Sequence, residues 1–326
     1  MPASAWPLLA LWAAAALGTW ATLRYARRRR LIDLPGERRS HAVPTPRGGG
    51  LGIASALLLG CAWATAAGMV APVAALAFAA GLVLVAGIGW VDDHRPLSPA
   101  LRLLVQCLAG AVLALGLFGA DGCRGWALLA FAAVPVLVNV WNFMDGIDGL
   151  ATTQALICAC VLALLAPAQA GLPGWALAAA CCGFLPFNFP KARIFLGDVG
   201  SGALGYALAA IAVAAAARTG RIDGATPVVL LPLSAFLVDA SMTLGGRILA
   251  GERWWLPHVS HLYQRWVRAG RSHVAVTLVY ASFSLMAGIL ALALNQAEPW
   301  LAGGVAVLWL LLAAITWLLL RRTATH

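Results

Sequence analysis

The sequence predicts an all-α protein, a polytopic helix bundle of ten to eleven transmembrane helices forming one domain over residues 1–326. Three observations carry this expectation. Of 326 residues, 62% are hydrophobic and only 10% charged, whereas a soluble domain carries about 25% charge. Apolar runs of about 20 residues, the length that crosses a bilayer core, recur along the whole chain. The basic residues, 21 Arg and the single Lys191 in a chain of net charge +10, concentrate in alternate connections between those runs.

The runs are taken in order. The first, 3–23, is followed by Arg24 and Arg27–Arg30. It is longer than the apolar part of a secretion signal and has no basic residues before it, so it is expected to span rather than be cleaved. Runs near 49–68 and 70–90 meet at Gly68–Met69, and the third ends in Val91-Asp92-Asp93-His94-Arg95. Runs at 100–118 and 125–141 follow, the latter leading into Asn142-Phe-Met-Asp-Gly-Ile-Asp-Gly149. The runs at 150–169 and 172–187 are separated by Ala170–Gly171, and the second is short and closes on Pro186. The eighth, 201–217, begins just after Asp198. The ninth, 226–247, contains Asp239, eight residues before Arg247, which at 1.5 Å per residue sits about 12 Å inside the span end. Runs at 272–294 and 299–320 complete the set, with Arg321-Arg322 behind them.

Placing the connections alternately on two sides puts 19 of the 22 basic residues on one side, leaving only Arg124, Arg218 and Arg221 on the other. The positive-inside rule makes the basic side cytoplasmic, with the N-terminus periplasmic and the C-terminus cytoplasmic. The cytoplasmic loops then lie near 24–48, 91–99, 142–149, 188–200 and 248–271. The same assignment gathers Asp92, Asp93, Asp145, Asp148 and Asp198 on the cytoplasmic side with His41, His94, His258, His261 and His273, an outcome the basic count does not impose. A transporter or lipid flippase is the alternative from another class. Such proteins often show internal repeats and a mid-bilayer site, and this chain shows no repeat. The seven cysteines lie mostly in apolar runs without zinc spacing and read as small core fillers.

A carboxylate beside a bilayer is costly unless paired, so these acids mark a functional site. Several on one face suggest a divalent cation and the phosphates that travel with it. Of adjacent Asp92 and Asp93, one can bind metal or position a nucleophile while the other balances nearby cations; an ordinary helix boundary is the plainer reading. Asn142, Asp145 and Asp148 are spaced three apart and share a face if that segment is helical. Gly146 and Gly149 let backbone approach a ligand. Asp198 precedes a helix, whose free N–H groups suit phosphate oxygens. Arg47-Gly-Gly-Gly-Leu-Gly52 lacks the Lys-Ser/Thr of a Walker A loop. In the late loop, His258 and His261 could bind zinc, act as acid and base, or donate to an anion. Trp254 and Trp255 read as interfacial, and Arg27–Arg30 as contacts to anionic membrane lipids.

Asp33-x-Pro35 with His41-x-x-Pro44-x-Pro46-x-Gly-Gly49, then Asp92-Asp93, Asn139-x-x-Asn-x-x-Asp-Gly-Ile-Asp-Gly-Leu150, Phe195-x-Gly-Asp-x-Gly-Ser201 and the late His loop occur in that order. Together they resemble the polyprenyl-phosphate N-acetylhexosamine-1-phosphate transferases of glycosyltransferase family 4, over about residues 31–271. That family includes the phospho-MurNAc-pentapeptide translocase and the dolichyl-phosphate GlcNAc-phosphotransferase. The resemblance implies Asp198 and Asn142 as ligands of Mg²⁺, with Mn²⁺ a workable substitute. It implies Asp92, Asp93 and Asp145 as catalytic. It places Asp148, Asn188 and Phe195 at the uracil and Arg102 at the diphosphate, with His258, His261, Gln264 and Arg265 reading the sugar. Leu262-Tyr263-Gln264 departs from the tighter histidine cluster of the GlcNAc and cell-wall members and resembles the members that initiate O-antigen. The expected partners are undecaprenyl phosphate, a UDP-N-acetylhexosamine and membrane lipids, with no nucleic acid and with a homodimer left open. The expected location is the bacterial inner membrane. The expected reaction releases UMP, with a UDP-GlcNAc-specific transferase as the alternative donor reading.

Overall fold

The computed structural model describes residues 6–36, 43–119, 123–167, 169–219, 222–253 and 259–323. Each expected apolar run forms a helix: α1 (Trp6–Arg29), α2 (Leu51–Ala66), α3 (Pro72–His94), α4 (Pro99–Phe118), α5 (Arg124–Met144), α6 (Leu150–Leu165), α7 (Leu172–Asn188), α8 (Gly197–Ala216), α9 (Ser234–Leu249), α11 (His273–Leu294) and α12 (Pro299–Thr323). A short α10 (Leu262–Arg268) stands in the late loop. Among the described residues, seven helices, α1, α3, α4, α5, α8, α11 and α12, are long and apolar enough to cross a membrane, while α2, α6 and α7 are shorter apolar helices. The ninth run differs most. Its first part, Thr226–Leu230, is a 3₁₀ turn, so α9 keeps only 16 residues.

The core is organised around α8, whose spanning window is 83% buried against 22–44% in the other six long helices. Its sequence, Gly197-Asp-Val-Gly-Ser-Gly-Ala-Leu-Gly205, explains this position. Small residues let helix backbones approach closely inside a membrane. A methyl added at Gly205 would lie 2.5 Å from the Leu137 carbonyl oxygen of α5. One added at Gly200 would lie 2.7 Å from Gly50 Cα. Helix α8 therefore packs directly on α3 and α5, with α4 closing against both. Pro186 lies inside α7 rather than ending it, and its carbonyl accepts Arg193 Nη2 at 2.8 Å.

The first connecting loop is fastened to the site by backbone. Strands β1 (Ile32–Asp33) and β2 (Thr45–Pro46) pair antiparallel, with Ile32 opposite Pro46. The chain beyond β2 then zips to the approach of α8: Phe195 N–H donates to Pro46 O (2.8 Å), Gly49 N–H to Phe195 O (2.9 Å) and Gly50 N–H to Leu196 O (2.9 Å). This pairing carries Arg47 to the ends of α3 and α8.

Candidate active site

Asp93, in the last turn of α3, is 1% exposed and accepts from Asp198 N–H (3.1 Å) and Val199 N–H (3.2 Å). The N-terminus of α8, which the sequence offered to phosphate, is thus capped by a carboxylate of α3. Unbonded N–H groups at a helix start attract any nearby anion, and Asp93 is the nearest. Two close approaches make this geometry possible. Gly197 adopts φ +75°, and a methyl there would sit 2.6 Å from Asp93 Oδ2. A methyl at Gly89, one helical turn earlier in α3, would sit 2.4 Å from Asp198 O. Arg47 donates to the Asp93 carbonyl, and its Nε lies 3.7 Å from Asp93 Oδ1.

Asp92 accepts from Leu97 N–H (2.6 Å) and from Arg102 Nη1 (2.9 Å). The same Nη1 lies 3.5 Å from Asp198 Oδ2, so one guanidinium is shared by carboxylates from α3 and α8. Asp198 Oδ1 accepts from Asn142 Nδ2 (2.7 Å), which also reaches Ser201 Oγ (3.2 Å). Asp92, Arg102, Asp198, Asn142 and Ser201 form a continuous polar chain across four helices. Arg102, Asn142 and Asp198 of this polar chain line a cleft with Gln106 and Asn139, whose side chains bond each other at 2.6 Å one turn deeper.

The shared helical face expected for Asn142, Asp145 and Asp148 does not form, because α5 ends at Met144 and Gly149, at φ +74°, begins α6. Only Asn142 turns toward Asp198. Asp145 caps α5, half-buried, and burial followed by the charge of Asp93 pushes its carboxyl up to about 7. A group that changes charge near neutrality suits acid–base work. Asp148 faces α11 instead: its carboxylate lies 3.3 Å from His273 Nδ1, and its carbonyl accepts Thr277 Oγ1.

Several expected substrate contacts occupy supporting positions. Asn188 is buried, accepting from Gly149 N–H (3.0 Å) and donating to Ile194 O (3.1 Å), so its amide holds two loops together. Phe195 is half-exposed, three residues before Asp198. His261 and Gln264 are buried, and Gln264 Oε1 accepts from His261 N–H at 3.2 Å. They turn into the protein because a short helix start must satisfy its own N–H groups. Arg265 is half-buried on α10. His258, with His41, Trp254 and Trp255, lies outside the described residues. Gly146 and Gly149 make room for protein, the Tyr263 hydroxyl and the Phe189 ring, rather than for a ligand. Arg47 and Ser201 join the site without having been singled out as site residues; the one signal for Arg47 was a lone cation beside three glycines.

Among the described residues, no group of three or more His, Cys, Asp or Glu forms a ready-made metal cage. Mg²⁺ needs no such cage; it is commonly held by one or two carboxylates, waters and substrate phosphates. Asp92, Asp93 and Asp198 outnumber Arg47 and Arg102 here. The hard oxygen donors and surplus negative charge fit that ion.

A membrane helix bundle with clustered carboxylates and arginines where four helices end defines a membrane enzyme acting at the edge of its apolar core. Comparison with known proteins places it more closely. The model for glycosyl transferase family 4 matches residues 75–216, the segment running from α3 through α8. The decaprenyl-phosphate N-acetylglucosaminephosphotransferase of Mycobacterium leprae (strain TN) is 31% identical over 305 residues, 78% of this chain and 74% of that protein. A probable undecaprenyl-phosphate N-acetylglucosaminyl 1-phosphate transferase of Bacillus subtilis (strain 168) is 28% identical over 83% of this chain and 79% of its own length. A phospho-N-acetylmuramoyl-pentapeptide-transferase of Trichormus variabilis is 34% identical over 52% of this chain and 53% of its own. The chain belongs to glycosyl transferase family 4 and is a membrane sugar-phosphate transferase.

Proposed function

We propose that the protein transfers an N-acetylhexosamine 1-phosphate from a UDP-sugar to undecaprenyl phosphate at the cytoplasmic face of the bacterial inner membrane. The N-terminus is then periplasmic and the product begins a lipid-linked surface polysaccharide of the O-antigen kind. An oxygen of the lipid phosphate bonds to the β-phosphorus, the bond from that phosphorus to the bridging oxygen breaks, and UMP leaves with the electron pair. The observation that carries this reading is the Asp92–Arg102–Asp198–Asn142 chain at the membrane edge. One reactant keeps its tail in lipid while the other stays in water, so both phosphates can meet only there.

Joining two anions requires neutralisation and alignment. Mg²⁺, held by Asp198 and the Asn142 amide, would supply positive charge to the diphosphate. Arg102 leaves one carboxylate to meet an incoming phosphate, since its nitrogen already serves two acceptors. Asp93 fixes the start of α8, and Arg47 stays beside it. Asp145 exchanges a proton near neutral pH next to the acceptor phosphate.

The relatives named for N-acetylglucosamine favour UDP-GlcNAc as a second donor reading. Purified protein with undecaprenyl phosphate and Mg²⁺ should release UMP from one of UDP-GlcNAc, UDP-GalNAc or a 6-deoxy-HexNAc donor. UMP release from UDP-GlcNAc alone selects the second reading, and no UMP from any donor refutes the reaction.

A further inference from the structure

Asp239 has no part in the chain of groups just described, yet it is 1% exposed inside α9, where an ionisable side chain is expensive. Its partners show what it holds. Oδ1 accepts from Leu262 N–H (3.0 Å), Trp317 Nε1 (2.9 Å) and Thr243 Oγ1 (3.2 Å), and Oδ2 accepts from the Tyr280 hydroxyl (2.6 Å). His261 Nδ1 lies 3.6 Å from Oδ1. One carboxylate therefore joins α9, α10, α11 and α12. Three of these could pack through apolar surface alone. The fourth, α10, is seven residues long and cannot hold itself in place.

From α10 the connection continues to the catalytic turn. The His261 ring stacks beside the Phe143 ring (6.1 Å, 27°) and beside the Tyr263 ring (5.9 Å, 18°). Tyr263 donates its hydroxyl to the Phe143 carbonyl at 3.0 Å. Gly146 leaves the space for it, since a methyl there would lie 2.2 Å from that oxygen. Phe143–Gly146 is the turn that carries Asp145 and follows Asn142.

We infer that Asp239 is a positioning residue for the active site: through Leu262 N–H and His261 it seats α10, and through Tyr263 it holds the turn that follows Asn142 and bears Asp145. An asparagine cannot replace it. The amide offers one acceptor oxygen and turns an N–H₂ toward donors, where the carboxylate accepts on both oxygens. The kinetic part of this inference rests on the proposed phosphotransfer; the positional part does not.

Hydrogen exchange on the full-length protein, with steady-state UMP release, tests it. Asp239→Asn and Tyr263→Phe should each raise exchange across 142–149 by about tenfold or more, with 92–97 and 198–202 unchanged. Both should lower kcat by about ten- to a hundredfold while leaving KM for undecaprenyl phosphate in place. The double variant should be no worse than Asp239→Asn, because the two act in one line. Trp317→Phe, which cuts only the tie to α12, should lower Tm without changing exchange at 142–149 or kcat. Tyr263→Phe, which loses only a hydroxyl, decides the question if Asp239→Asn does not fold. Unchanged exchange at 142–149 in Tyr263→Phe, or an equal kcat loss in Trp317→Phe, overturns the inference. If the wild type releases no UMP, the phosphotransfer reading fails and the exchange measurement still decides the positioning role.

Discussion

Two glycines of α3 separated by one residue should respond oppositely to a single added methyl. At Gly87 the methyl meets nothing within 4 Å. At Gly89 it lies 2.4 Å from Asp198 O, 2.5 Å from Asp198 C and 2.6 Å from Val199 N, all backbone atoms that cannot rotate away. Relieving that contact to ordinary van der Waals separation requires α3 and the start of α8 to part by about 1 Å. Asp198 N–H and Val199 N–H, now 3.1 and 3.2 Å from Asp93, would pass beyond bonding range, as would Arg102 from Asp198 at 3.5 Å. Overpacking should cost about 1–3 kcal/mol of stability, and a 1 Å displacement of a reacting group about a hundredfold in rate. Gly89→Ala should therefore fold with a lower Tm and lose about two orders of magnitude in kcat/KM for UMP release. Gly87→Ala should keep full activity, with equal or slightly higher Tm, because Ala favours helix over Gly. Gly89→Ala with activity within threefold of wild type would refute the claim that this contact sets the position of Asp198.

Asp145 gives a pH-dependent prediction. Its folded pKa of about 7 lies above the unfolded value near 4, so the ionised form opposes folding, increasingly from pH 4 to pH 7 and constantly above. Asp145→Asn in Mg²⁺-free buffer should thus be more stable than wild type by about 1–2 kcal/mol at pH 8, after allowance for its partial exposure, with the gain vanishing near pH 4; a pH-independent difference would contradict it. Asn188→Ala should lower stability by about 1–3 kcal/mol by stranding Gly149 N–H and Ile194 O, and melting in the absence of substrate checks this. Arg102→Ala leaves Asp92 and Asp198 without their shared cation, so KM for the UDP-sugar should rise by about tenfold or more. A lower Tm with unchanged KM would make Arg102 structural only.

The helices were legible because length and apolarity alone select them: each run of bilayer-spanning composition became a helix, α10 being the addition. The gathering of Asp92, Asp93 and Asp198 was legible for a similar reason, since each sits at an end of an apolar run. The orientation of individual groups was not. Asp93 turns to α8 because Gly89 and Gly197 let the two backbones approach, a contact between distant segments that no local spacing records. Asn142 and Asp148 part company where α5 ends at Met144, since Asp145 leaves helical geometry and breaks the three-residue repeat. His261 and Gln264 read as ligand-facing polar residues, yet they serve the start of α10. Asp239 was visible as an acid inside a span, but its partners come from residues up to 78 positions away.

In the proposed reaction Asp198, in the first turn of α8, serves phosphotransfer. The most direct test is UMP release by detergent-purified protein given undecaprenyl phosphate, Mg²⁺ and a UDP-N-acetylhexosamine, comparing wild type with Asp198→Asn. The wild type should release UMP only when the lipid phosphate is present. Asp198→Asn should elute as wild type does and be at least about a thousandfold slower at saturating Mg²⁺, having lost a hard anionic oxygen at the diphosphate. Activity of Asp198→Asn within threefold of wild type would contradict the account.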